Sequence, residues 1–145
     1  MKKRILLFLS VFFLSVVCAN AQSMVSEIKW TDADYVTYNG LLILYPDNSG
    51  IFVVKFYHPT YGIVYCRQNA RLTNQFDMYG NCISFINCSY PRVTPNLPYS
   101  ADNFIVYPNG CMYTQDYSGK WSTLITHCVI QPQYWKAKYR EYNIQ

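Results

Sequence analysis

Few side chains in this chain can do covalent or acid–base chemistry. Beyond residue 21 the cysteines are Cys66, Cys82, Cys88, Cys111 and Cys128, and the only histidines are His58 and His127. A thiol beside an imidazole is a nucleophile with its base. His127 and Cys128 are adjacent, but neighbours on a strand face opposite sides of a sheet and cannot serve each other. That leaves His58 with an unbridged cysteine. The Cys and His spacings match no zinc site, so neither a metal nor a cofactor is expected. Asp32 and Asp34 would share a strand face, and Asp102 and Asp116 flank one hairpin. Paired carboxylates can cleave glycosides, but aspartates at turns more often cap backbone N–H groups. There is no phosphate-binding glycine loop and no G-x-S-x-G. No catalytic residue is assigned, and a small secreted hydrolase ranks third among the functional readings.

In an oxidising compartment the same cysteines read as a disulfide framework. Five is odd, so at least one stays free or joins another chain. "CISFINC" is apolar and free of turn formers, so it reads as a strand. Six strand steps hold Cys82 and Cys88 ~20 Å apart, beyond the ~7 Å a disulfide tolerates. Cys66 and Cys128 each end an apolar strand, 62 positions apart, as do Tyr45-Pro46 and Tyr107-Pro108 in "LILYPDNSGIF" and "FIVYPNGCMY". Two related halves would explain both coincidences and would favour a Cys66–Cys128 bridge. Cys111 follows a turn directly and is expected to be the most exposed, a free thiol able to form a disulfide-linked homodimer.

Aromatic residues are the richer resource: 15 Tyr and 3 Trp. Tyr38, Tyr45, Tyr79, Tyr107 and Tyr117 precede turn signals, where sheet surface meets water and tyrosine can pack its ring while wetting its hydroxyl. The bland role of each is to cover a strand end. Collectively they offer rigid contact area at low entropic cost, and Tyr107, Tyr113, Tyr117 and Trp121 are the binding candidates.

Around them, "YPNG", Tyr113, "YSGKW" and His127 resemble the membrane occupation and recognition nexus (MORN) hairpin repeat over about residues 107 to 127. An insertion splits Tyr113 from Tyr117. Leu124 and Cys128 stand where the repeat wants glycine, and no array follows, as a solenoid requires. The chain is therefore not assigned to that family. What the resemblance implies is a tyrosine packed beside a hairpin turn.

The elements that must position these residues are short strands. "YVTY", "LLILY", "IFVVKFY", "IVYC", "CISFINC", "NFIVY", "CMYTQ" and "WSTLITHCVI" make eight, with Asn39-Gly40 read as the first hairpin turn and residues 67 to 81 read as irregular. The spacing of turn signals predicts a mainly all-β fold, an antiparallel meander forming a small barrel or sandwich. The tail differs. Trp135, Tyr139 and Tyr142 follow i, i+4, i+7 after Pro132, which predicts one C-terminal helix, expected to cover an open end of the sheet.

Lys2, Lys3 and Arg4, an apolar run from Ile5 to Val17, and Ala19 and Ala21 have the three-part pattern of a secretory signal peptide over residues 1–21. The run is shorter than the ~20 residues of a membrane span. Val17 before Cys18 is not the small residue of a lipoprotein signal. The remainder, residues 22–145, is 124 residues (145 − 21), enough for a single β-rich domain. Without the signal's three basic residues the charge is 9 − 8, or +1, which excludes an electrostatic footprint for nucleic acid. The expectation is a secreted or periplasmic, non-catalytic module. It would bind a protein partner as an inhibitor, immunity or assembly component, with a glycan-binding module as the alternative.

Overall fold

In the computed structural model, the described residues are 24–116, 118–130 and 134–142, and the side chains of 122, 124, 126, 128–130 and 135 lie outside the description. The predicted signal segment and Tyr117 fall outside it as well. Eight strands run β1 (Met24–Thr31), β2 (Thr37–Leu44), β3 (Ser49–His58), β4 (Gly62–Phe76), β5 (Cys82–Thr94), β6 (Asn103–Val106), β7 (Met112–Gln115) and β8 (Trp121–Ile130), followed by helix α1 (Trp135–Arg140). Each strand pairs antiparallel with the next, and β1 pairs with β8 through Val25–Lys29, so the meander closes as a barrel rather than a sandwich.

Eight strands enclose a space that side chains just fill. Inside lie Ile28, Trp30, Leu42, Leu44, Phe52, Val54, Cys66, Ala70, Ile86, Cys88, Phe104, Met112 and Ile125. Trp30 stacks on Tyr38 (4.9 Å) and meets Phe104 edge-on (5.8 Å), while Phe52 meets Phe104 at 5.0 Å. The interior is crowded enough to require a glycine. A Cβ on Gly40 would stand 2.5 Å from Cε2 of Phe52. Asn39-Gly40 is therefore not the expected turn. β2 runs straight through it, and Gly40 pairs with both Ile28 and Val54. The first turn is Asp32–Val36, after a strand "MVSEIKWT" that was not anticipated. The strand count agrees only because "YVTY" and "LLILY" are one strand.

Five of the hairpins turn in the same way. In 32–36, 45–49, 77–81, 107–111 and 116–120, the first N–H donates to the fifth carbonyl and the fourth N–H donates to the first carbonyl. The fourth residue has positive φ: Tyr35 (62°), Asn48 (66°), Gly80 (81°), Gly110 (84°) and Gly119 (80°). This is the type I turn with a left-handed bulge residue that joins antiparallel strands. Oδ1 of Asp32, Asp77 and Asp116 each accepts the N–H groups two and four residues on. Asp32 and Asp116 are thus turn caps and not members of carboxylate pairs. The common geometry accounts for the likeness between the Tyr45-Pro46 and Tyr107-Pro108 segments and for the MORN resemblance.

The expected Cys66–Cys128 bridge is not made. Cys66 is a free thiol with no solvent exposure. It lies on β4 and Cys128 on β8, which are four strands apart in a ring of eight. Equivalent positions of two four-strand halves are set on opposite walls of such a ring and cannot meet. Cys82, Cys88 and Cys111 are also free.

Two outer walls differ. Beyond the interior set, Leu41, Ile43 and Val53 are buried on the outside of β2 and β3, with Val25 of β1, under Tyr139 and Tyr142. Tyr142 is 4% exposed. Lys138 Nζ lies 2.9 Å from Glu27 Oε1, and Lys55 Nζ sits 5.0 Å above the Tyr142 ring. The helix covers this side wall and not an open end. The residues 41–44 explain why: strands buried on both faces read as continuous apolar runs.

Candidate functional site

Three places in the fold gather groups with functional potential. The first is the seam between β5 and β6. These strands pair only through Ser84–Asn87 and Asn103–Val106, so the later half of β5 has no β6 partner beyond the bond from Cys88 N–H to the Asp102 carbonyl. The 95–102 connection fills the gap. Tyr99 enters against Phe56 (5.7 Å) and donates its hydroxyl to Asp102 Oδ2 at 2.9 Å. Gln68, only 1% exposed, donates Nε2 to the same oxygen at 2.6 Å and accepts the Asp102 N–H on Oε1 at 2.9 Å.

Asp102 as a residue is only partly buried, but its carboxylate is drawn in between these two donors. Desolvation raises its pKa to about 6, against the pull of the Gln68 and Tyr99 hydrogen bonds. Burial and the neighbouring carboxylate push the Cys66 thiol up to about 12 and the Cys88 thiol well above its ordinary value. Both thiols stay protonated and are poor nucleophiles. The node closes a seam and can take up a proton near pH 6.

The second place is the outer wall of β5–β8. Phe85, Ile105 and Tyr113 are cross-strand partners in register. Ile105 is 4% exposed although it alternates outward from interior Phe104, because these neighbours lie over it. Tyr107 meets Tyr113 edge-on at 5.8 Å, and Phe85 meets Trp121 at 6.2 Å. Three of the four expected binding residues, Tyr107, Tyr113 and Trp121, therefore share one wall. All are half-buried.

The third place was not singled out from the sequence. β4 and β5 outrun the barrel: β3 pairs with β4 only as far as Arg71, while β4 and β5 continue together to Phe76 and Cys82. At strand rise the hairpin runs ~15 Å past the end of β3, and ~7 Å past the last β6 pair at Ser84. At its tip Phe76 (74%), Met78 (88%) and Tyr79 (83%) are exposed. On the β3 side, no described strand pairs with residues 73–76. Tyr79 precedes a turn, but Phe76 and Met78 lie among polar residues with no strand alternation to mark them, although β4 runs to Phe76.

Among the described side chains, no thiol is hydrogen-bonded to an imidazole. Cys82 is exposed and Cys111 only partly so, which reverses the expectation that Cys111 is the most exposed. The Asn109 side chain caps the Cys111 N–H at 3.0 Å, and His127 Nε2 lies 2.8 Å from the Gly110 carbonyl. His58 caps Thr60 N–H through Nδ1 at 3.1 Å, in the turn at the opposite end of the barrel from Cys82 and Cys111. Among the described residues, no group of three potential ligands could hold a metal, and no helix is long and apolar enough to cross a membrane. No family model, curated protein or solved structure matches this chain.

Proposed function

We propose that the chain is an exported, non-catalytic binding module that docks on a protein partner, in an inhibitory, immunity or assembly role. The observation that carries this reading is the projecting β4–β5 hairpin. It combines bare apolar side chains at its tip with an open main-chain edge at 73–76. A sugar can use the rings, but only another polypeptide strand can complete the edge by adding to the ladder. The adjoining wall with Tyr107, Tyr113 and Trp121 extends the contact area. Rings on convex surfaces fit a pocket in a partner protein, whereas a glycan site needs rings lining a groove. Among the described residues the most exposed thiol, and so the one best placed to link two copies, is Cys82.

The test is capture from the native exported fraction with the wild type and with a Phe76→Ser/Met78→Ser/Tyr79→Ser variant. The expected outcome is a stoichiometric protein bound by the wild type and lost with the variant, whose melting temperature is unchanged. Equal capture by the variant, or retention on immobilised glycans alone, rejects the reading.

A further inference from the structure

On the outside of the β4–β5 ladder, away from the hairpin tip, Arg67 and Arg92 stand directly opposite each other in register. Like charges directly opposite on neighbouring strands destabilise the pair. Natural surfaces relieve this with a nearby acid. Among the described residues, neither Arg67 nor Arg92 has a carboxylate partner. The backbone is also distorted at this point. The register slips between Arg67 and Asn69, and Tyr90 is held at φ 53° with its side chain 79% exposed. Non-glycine residues at positive φ and strand bulges concentrate at ligand sites, where they aim side chains. A concavity of about 340 Å³ lies at the slip, lined by Arg67, Asn69, Tyr90, Pro91 and Arg92. These residues carry two guanidinium groups, a carboxamide, an aromatic ring and a proline, with no acidic side chain.

We infer that Arg67 and Arg92 form an oxyanion site, which takes a carboxylate, sulfate or phosphate group between the two guanidinium forks. An anion there converts a repulsive pair into two charge-assisted, bidentate contacts. Asn69 adds an amide donor, and the Tyr90 ring offers a face to whatever carries the anion. The site lies apart from the aromatic wall and the hairpin tip, so its test is separate from that of the docking reading.

The experiment is an arginine Nε–H NMR titration of the purified protein with sodium sulfate, sodium phosphate and sodium galacturonate, against sodium chloride at equal ionic strength. Arg67 and Arg92 shift together and saturate, while Arg71 and Arg140 follow the chloride control. Arg67→Gln or Arg92→Gln weakens binding at least 10-fold, and Arg71→Gln leaves it unchanged. Because Arg92→Gln relieves a like-charge pair, it melts at or above the wild-type temperature, which separates lost binding from lost folding. Saturation by sulfate or phosphate alone marks a tetrahedral group, and saturation by galacturonate alone marks a carboxylate; both support the site. Shifts that stay linear and equal across all four arginines, or unchanged affinity in Arg92→Gln, overturn it.

Discussion

The β1–β3 wall and the β5–β8 wall belong to one barrel but are finished in different ways. The first is apolar on both faces where α1 covers it. Val25, Leu41, Ile43 and Val53 are at most 1% exposed because α1 and Tyr142 lie over them. The second has two strands of only four residues, β6 and β7. Its seam with β5 is closed by a polar insertion through Gln68, Tyr99 and Asp102, and its outer aromatic residues have no covering element among those described. The first wall is held by apolar area, which is indifferent to pH. The second depends on a carboxylate kept out of water. The covered wall is committed to the protein's own fold, and the uncovered one still has surface to offer.

The sharpest way to break the first wall is Tyr142→Ala. Removing a ring that is 4% exposed, and uncovering Val53 and Leu41 beneath it, should cost ~3–5 kcal/mol, measured by urea unfolding. A loss below ~1 kcal/mol would mean that the helix does not hold the wall.

The second wall should respond to protons instead. Asp102 has its pKa raised from 3.8 to about 6 in the folded protein, so the folded state binds the proton more tightly than the unfolded one. The stabilisation is fully present below pH 3.8 and is lost as pH rises through about 6. The change is at most on the order of 3 kcal/mol, at ~1.4 kcal/mol per pKa unit. Asp102→Asn keeps a carbonyl oxygen for Gln68 and Tyr99 but has nothing to titrate. Its unfolding free energy should be flat across that window where the wild type's declines. An equal slope in both proteins would assign the pH dependence elsewhere.

The smallest effect should come from the uncovered wall. Tyr113→Ser removes a half-exposed ring and its edge contact with Tyr107, and should lower stability by only ~1 kcal/mol. A cost approaching that of Tyr142→Ala would show that this wall is structural and erase the contrast.

Much of the architecture was legible because it is written in short-range signals. Alternation in "IFVVKFY" sets Phe52, Val54 and Phe56 on one strand face and Lys55 on the other, and Pro108-Asn109-Gly110 and Ser118-Gly119 marked real turns. The C-terminal aromatic stripe marked a real helix. What failed depended on partners distant in sequence. Asn39-Gly40 carries the local chemistry of a turn, but the Phe52 ring on the next strand needs the space that glycine leaves. "TDADYV" turns with no glycine, using Asp32 as a cap and Tyr35 at positive φ. Barrel closure fixes where Cys66 and Cys128 sit, and no spacing along the chain reveals it. Of the candidate site, the sequence located the Tyr107, Tyr113 and Trp121 wall. It did not show the projecting hairpin, because projection is a comparison of strand lengths that only the assembled sheet provides.

The pairing of β1 with β8 has a consequence for the order of events during synthesis. Seven of the eight strand pairings join consecutive strands, and the eighth joins the two ends of the barrel. A ribosome produces β1 before the other strands, and its second partner arrives about 100 residues later, in the one strand pairing that does not join consecutive strands. Until then β1 is an edge strand. Its outward positions Glu27 and Lys29 carry charges, the feature that discourages neighbouring chains from pairing with an open edge. Those two residues thus protect the nascent chain before they serve the finished one.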